Sequence, residues 1–283
     1  MMSTGGSSAA GPRDRQEQIR GRVVKEGFVR IEDLAEQLAV SPMTIHRDLD
    51  ALERRGWLRK VRGGASAQPS ALFHGDVGHR MLAMAEAKEE LGRAAIGLVE
   101  RGQAVMFDES TTALRVARRL PSVAPLTVIS NFLPLINELA GEPGIDVISL
   151  GGVYYPAYEA FLGMQTAEFC GALRADVLFM STTAVTRGAC YHQSPDTVQV
   201  KRALMASATR RVLLIDHTKF AKQAIHRLAP LTDFDLVLID RGADPRDVEA
   251  LRDQGVAVHV AGDVAIAFAA GAEAAPAPAP SGG

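Results

Sequence analysis

Two sets of residues in this sequence have types and spacings that can do chemistry. The first is a polar set that follows six short apolar runs. Residues 104–107 lead into Asp108, Glu109, Ser110, Thr111 and Thr112, and residues 126–129 into Ser130 and Asn131. Residues 147–150 lead into Gly151 and Gly152, and residues 177–180 into Ser181, Thr182 and Thr183. Residues 212–215 lead into Asp216, His217, Thr218 and Lys219, and residues 236–239 into Asp240. Ser110, Thr111 and Thr112 read as a helix start, where hydroxyls and free N–H groups can hold a phosphate. Asp108 and Asn131 suit sugar hydroxyls. Gly151 and Gly152 allow close backbone approach, and Lys201 and Lys219 can place positive charge against a phosphate. With Thr182 and Asp216, the set describes a site for a small, hydroxyl-rich anion. Asp216 and Asp240 could equally cap a helix or pair with a Lys, and Ser-Thr-Thr is a common helix start. The histidines show no metal spacing, so no metal and no cofactor is expected.

The second set lies in residues 41–56. Ser41 can accept hydrogen bonds from free N–H groups at a helix start, Pro42 suits the first helical position, and Gly56 suits the end. Ile45, Leu49 and Leu52 share one face, while Met43, Arg47 and Arg54 point away from it, flanked by Thr44 and His46. A short helix with an apolar back and Arg near its N-terminus suits the DNA major groove.

The elements around these sets supply the context. A helix is expected over 14–26 and an extended piece over 28–30. A second helix over 31–38 and a tight turn into the 41–56 helix complete a helix-turn-helix. Residues 57–65 read as a β-hairpin wing in which Arg59, Lys60 and Arg62 are free to meet phosphates, which hold register while base edges select sequence. Residues 1–12 read as a disordered tail, 13–66 as the DNA-binding domain and 67–78 as a linker. A long helix is expected over 79–100. Continuous apolar runs at 104–107, 126–129, 147–150, 177–180, 212–215, 236–239 and 256–260 are strands buried on both faces, hence an α/β domain over 79–263 with a largely parallel sheet. In such sheets ligands sit outside the C-terminal strand ends. Residues 264–283 are rich in Ala and Pro and read as a tail, with at most a helical turn over 264–270.

Charge supports the division. The 283-residue chain carries net charge -2, yet residues 13–62 hold 12 basic against 9 acidic residues. A modestly basic head on an acidic body fits double-stranded DNA as partner. Two isolated cysteines make no disulfide framework. No membrane span and no signal peptide is legible, so a cytoplasmic location is expected.

Residues 14–65 resemble the winged helix-turn-helix of DeoR-type bacterial transcriptional regulators, through Thr44-Ile45-His46-Arg47-Asp48-Leu49, Leu52, Gly56 and Arg62-Gly63-Gly64-Ala65. The family usually has Arg where this chain has His46. Residues 79–262 resemble the family's sensor domain, through Asp108 with Ser110-Thr111-Thr112, Ser130-Asn131, Gly151-Gly152, Val200-Lys201-Arg202 and Asp216-His217-Thr218-Lys219-Phe220. Glu109 stands where the family often has Gly, and Met180-Ser181-Thr182 where it often has Ile-Gly. The resemblance implies an α+β winged head followed by an α/β sensor similar to ribose-5-phosphate isomerase and the coenzyme A transferases. It implies a repressor of carbohydrate genes, acting as dimer or tetramer on operator DNA and released by a phosphorylated sugar. The alternative is a sugar-phosphate isomerase or coenzyme A transferase carrying a DNA-binding head. Asp108 or Glu109 would have to serve as base or nucleophile, and no dedicated acid–base constellation accompanies them. Tyr154, Tyr155, Tyr158 and Glu159 follow the glycine pair, as a ligand-covering loop or an oligomer contact.

Overall fold

The computed structural model describes residues 11–26, 28–54, 58–66, 77–262 and 265–268, without the side chains of Arg13, Val24, Lys25 and Arg54. The expectations for the Arg54 side chain, Gly56, the start of the wing at residue 57, most of the linker and most of the two tails lie outside these residues. The chain divides into two compact units, residues 1–79 and 80–283.

The first unit contains α1 (Pro12–Glu26), β1 (Phe28–Arg30), α2 (Ile31–Gln37), α3 (Pro42–Arg54), β2 (Arg59–Val61) and β3 (Gly64–Ser66). The extended piece 28–30 is more than a connector. It pairs antiparallel with β3, so the wing is a three-stranded sheet ordered β1-β3-β2. Ile45, Leu49 and Leu52 are buried with Ile19, Val23, Val29, Leu34 and Leu58 in one apolar core. Asp48 breaks the apolar pattern of that α3 face and is also buried. Its carboxylate accepts from Arg15 Nε at 2.6 Å and from Gln16 Nε2 at 2.9 Å, both on α1. That pair fixes α3 against α1 with a charge-assisted bond. Asp48→Ala should therefore cost about 1–3 kcal/mol, because Arg15 and Gln16 lose a buried partner. The check is a lowered denaturation midpoint together with weaker DNA binding.

Helix α4 (Val77–Leu82) carries the chain across the unit boundary. In the second unit α5 (Ala85–Ala95), β4 (Ala104–Phe107), α6 (Ala113–Ala117), β5 (Leu126–Ser130), α7 (Leu133–Leu139) and β6 (Ile145–Ser149) follow. A hairpin β7 (Val153–Tyr155) and β8 (Ala160–Leu162) leads to α8 (Met164–Gly171), β9 (Ala175–Met180), β10 (Ala184–Thr186), β11 (Ala189–His192) and α9 (Pro195–Ser207). Then come β12 (Ala208–Ile215), β13 (His226–Pro230), β14 (Leu236–Ile239), α10 (Pro245–Asp253) and β15 (Val258–Val260). The seven expected strands form one seven-stranded parallel sheet ordered β15-β14-β12-β9-β4-β5-β6. The register pairs Phe107 with Phe179 and Ser130, and Ile215 with Ile239. That alignment brings the residues following β4, β5, β9, β12 and β14 to one edge of the sheet.

Two expectations are corrected here, and one element is added. The helix expected over 79–100 is interrupted: α4 ends at Leu82, Met84 takes a left-handed conformation (φ 54°), and α5 gives way to a 3-10 turn at Ile96–Leu98. Side chains break it by taking the last α4 carbonyls, as described below. Residues 265–268 form no helical turn; Ile266 donates its N–H to Ala94 O at 2.9 Å instead. A separate antiparallel sheet, β10-β11-β13, was not legible. Helix α5 packs closely on α6 because Gly92 has no Cβ; one placed there would lie 2.8 Å from the Arg115 backbone.

Candidate functional site

The DNA-facing candidates are grouped by α3 and the wing. Ser41 Oγ accepts from Thr44 N–H at 3.2 Å and so caps the helix start, and it lies 2.9 Å from Thr44 Oγ1, within hydrogen-bonding distance of that hydroxyl. Met43 and Arg47 are exposed, while Thr44 and His46 are half-buried on the flanks. Arg59 and Arg62 are exposed on the wing. Lys60 is not free as expected. Its Nζ pairs with Asp50 Oδ1 at 2.5 Å, and its backbone N–H donates to Glu53 Oε1 at 2.8 Å. The wing is thereby tied to the polar side of α3. The acidic residues Asp50 and Glu53 on α3 were the available signal.

In the second unit, the strand-end set separates into a buried floor and a rim. Asp108, Glu109 and Lys201 are all within 1% of full burial. Lys201 Nζ pairs with Asp108 Oδ2, lies 2.9 Å from Glu109 Oε1 and donates to Ser181 O at 3.1 Å. Asp108 also accepts from Ser110 N–H at 3.1 Å and Ser181 N–H at 2.9 Å. Asp108 and Lys201 therefore have their charges engaged with each other, beneath the surface where a sugar hydroxyl or phosphate was expected to meet them. Burial opposes the charge on Lys201, but Asp108 and Glu109 outweigh it and raise its pKa. Burial raises the Glu109 pKa, beyond what the Lys201 charge recovers.

Three buried polar atoms at these strand ends find no hydrogen-bond partner among the described residues: Glu109 Oε2, Ser181 Oγ and Asn131 Oδ1. They follow β4, β9 and β5, which are adjacent in the sheet. From β4 the chain runs outward through β5 and β6, then returns to β9 and runs outward the other way, so the strand order reverses between β4 and β9. Ligands of open α/β sheets sit in that crevice, and buried polar atoms left unpaired are few in folded proteins. Asn131 uses its other end, donating from Nδ2 to Phe161 O at 2.9 Å.

The rim is cationic. Lys88, missed in the sequence, is 4% exposed, and its Nζ lies 3.1 Å from Thr111 Oγ1. Burial, with Lys219 and Arg80 adding repulsion, lowers its pKa to about 7. Burial also lowers Lys219, to about 8, although Asp216 lies 3.6 Å away. Burial would raise Asp216, but Lys219 and the Thr218 hydrogen bonds hold it below the usual carboxylate range. Arg80 donates to Glu109 O at 3.4 Å, and its guanidinium lies 5.8 Å from the Tyr158 ring centroid. Lys88 was detectable, because it falls in helical phase with Leu91 and Ala95 on a face that should be apolar.

The remaining residues of the set take local roles. Ser110 Oγ accepts from Ala113 N–H at 3.1 Å, and Thr112 precedes α6 without a side-chain cap. Helix α6 is only five residues long, so the Ser-Thr-Thr run offers hydroxyls more than a helix terminus. Thr182 donates to Tyr191 O at 2.9 Å. Gly151 has open space around it, whereas a Cβ on Gly152 (φ 142°) would fall 2.1 Å from Thr166 Oγ1. The tyrosine segment is the β7–β8 hairpin: Tyr155 donates to Asp196 at 3.1 Å and Tyr154 stays exposed. Beyond it, His217 pairs through Nδ1 with Asp240 Oδ2 at 2.8 Å, which engages Asp240 structurally.

Comparison with known proteins places both units. A model described as the DeoR C terminal sensor domain matches residues 83–241, and one described as the DeoR-like helix-turn-helix domain matches residues 15–71. The uncharacterized HTH-type transcriptional regulator YgbI of Escherichia coli K12 is 31% identical, over 88% of this chain and 98% of that protein. The transcriptional repressor AccR of Agrobacterium fabrum is 30% identical, over 81% and 90%. The lactose phosphotransferase system repressor of Staphylococcus epidermidis is 31% identical, over 80% and 91%. Among solved structures, ribose 5-phosphate isomerase A from Methanocaldococcus jannaschii aligns over 48% of this chain and 54% of that one, at 15% identity and TM-score 0.34.

Proposed function

This chain belongs to the DeoR family of DNA-binding transcriptional regulators, and on that premise we propose that it represses carbohydrate-metabolism genes until an anionic metabolite, a phosphorylated sugar or close relative, occupies its strand-end site. The observation that carries the effector reading is the trio of unpartnered buried atoms, Glu109 Oε2, Ser181 Oγ and Asn131 Oδ1, on three adjacent strands. Uncharged donors of a sugar satisfy such acceptors, while Lys88, Lys219 and Arg80 at the rim suit a phosphate. Relatives named as repressors, one of them of a lactose phosphotransferase system, support the carbohydrate assignment. One short α3 reads few base pairs, so the protein acts as a dimer or tetramer that presents heads about 34 Å apart, or a multiple, to paired half-sites. The working location is the cytoplasm.

Operator binding by the full chain, titrated with phosphorylated sugars and with their unphosphorylated forms, tests this reading. Release by the phosphorylated members alone is the expected result. Sugars that bind the protein and leave operator affinity unchanged would defeat it. Turnover of a bound sugar phosphate, lost in Glu109→Gln, would replace it by the enzymatic alternative.

The rim lysines add a pH dependence. Lys88 and Lys219 have pKa values lowered to about 7 and about 8. A bound anion favours their charged forms, so binding above these values takes up protons and must weaken as pH rises. Sulfate keeps its charge across this range and isolates the effect from the ligand's own titration. Its affinity should fall between pH 6.5 and pH 9, and calorimetry in buffers of different ionisation enthalpy should show proton uptake. A flat affinity would remove Lys88 and Lys219 from the anion contact.

A further inference from the structure

We propose that an anion in the strand-end site acts by drawing Thr111 and Lys88 away from the Arg80 carbonyl, which frees the end of helix α4 from the rest of the second unit. This inference rests on the anion-site reading above. The end of α4 is held by side chains of the site itself. Arg80 O accepts from Thr111 Oγ1 at 3.1 Å and from Lys88 Nζ. Met81 O accepts from Arg115 Nη2 at 3.0 Å, and Arg115 Nη1 is in turn held by Glu89 at 2.9 Å. The last carbonyls of a helix have no partner within it, so these bonds decide where α4 stops. They also oppose a cost. Met84 is held in the left-handed region, which residues other than Gly disfavour.

The competition follows from donor arithmetic. A threonine hydroxyl has one hydrogen, and Thr111 gives it to Arg80 O. An anion that accepts this hydrogen must leave the carbonyl without it. Lys88 lies within hydrogen-bonding distance of both Thr111 Oγ1 and Arg80 O. A hydroxyl's bond to an anion is roughly twice as strong as its bond to a neutral carbonyl, so Thr111 prefers the ligand, and Lys88, with three hydrogens, is drawn the same way by charge. The low pKa of Lys88 adds to this preference, because an adjacent anion restores its full charge. The chain enters the second unit through α4, so this is the shortest covalent route from the site toward the DNA-binding unit.

Hydrogen exchange on the full-length protein tests the proposal, with inorganic phosphate as probe at constant ionic strength and calorimetry to establish saturation. Saturating phosphate should speed exchange of residues 77–84 by about tenfold or more, the worth of one or two hydrogen bonds, and leave residues 85–95 unchanged. Thr111→Val should show faster exchange of 77–84 before phosphate is added, and Thr111→Ser should restore protection. Phosphate that binds while 77–84 stays protected would overturn the release of α4 and leave the site reading intact. Failure of phosphate to bind at all would overturn both. The wild-type measurement decides the matter even if the valine variant does not fold.

Discussion

Replacing Lys201 by methionine should remove roughly 3–5 kcal/mol of stability, the cost of leaving a buried charge without its partner. Lys201 meets two carboxylates, Asp108 and Glu109, and all three side chains are shut off from water. Methionine fills most of the volume and supplies none of the charge. The loss should depend on pH in a defined direction. Without the ammonium, the buried Glu109 carboxyl, already raised by burial, loses its opposing charge, so its folded pKa rises further above that of the unfolded chain. The folded state then binds more protons than the unfolded one, and stability falls as pH rises through the raised value. Lys201→Met should therefore be least unstable at acid pH. Denaturant melts at several pH values check this, and Lys201→Met with Glu109→Gln should recover part of the loss. A variant as stable as the parent at pH 8 would show that the floor is wetter than its burial indicates.

Replacing Arg47 by alanine should lower operator affinity by about 1–3 kcal/mol, roughly fivefold to 150-fold, and relax the preference for operator over random duplex. Arg47 is exposed on α3, and its neighbours Met43 and Thr44 lie on the same side of the buried Ile45-Leu49-Leu52 face. Arg59 and Arg62 belong to a different class. If, as exposed wing cations, they meet phosphates, either change to alanine should weaken all DNA alike and shallow the salt dependence by about one charge. Lys60→Ala should do less than either, because the Lys60 ammonium is engaged with Asp50. Salt titrations with operator and random duplex separate the three behaviours. If Arg47→Ala weakened both duplexes equally, α3 would be a phosphate clamp and its role as base reader would fall.

The sheet was legible because its inner strands β4, β5, β9, β12 and β14 are largely buried and mostly apolar, and seven runs became seven parallel strands. The edge strands β6 and β15, with one neighbour each, are half-exposed and do not meet the expectation of burial on both faces. Helix α3 was legible because Ser41 and the Ile45-Leu49-Leu52 stripe mark its start and its inner face. Contacts made between elements were not. Nothing local marks the break after Leu82, because the left-handed residue is Met84 rather than Gly or Asn, and the carbonyls there are taken by Thr111, Lys88 and Arg115 from elsewhere in the sequence. The same holds at the floor. The types of Asp108 and Lys201 suggested ligand contact, yet 93 residues of separation hid that they satisfy each other. The strands β10, β11 and β13 are three to five residues long and lack clean alternation, which leaves no period to read.

The order of strands in the large sheet also bears on how the chain is made. β4 is the first of the seven to leave the ribosome, but one of its two neighbours is β9, which ends at Met180. Until then β4 presents an unpaired parallel edge of Val105, Met106 and Phe107, the kind of surface on which nascent chains aggregate. The three-stranded wing, by contrast, closes all its ladders between Phe28 and Ser66. Translation thus completes the wing sheet well before the crevice between β4 and β9 has both its walls.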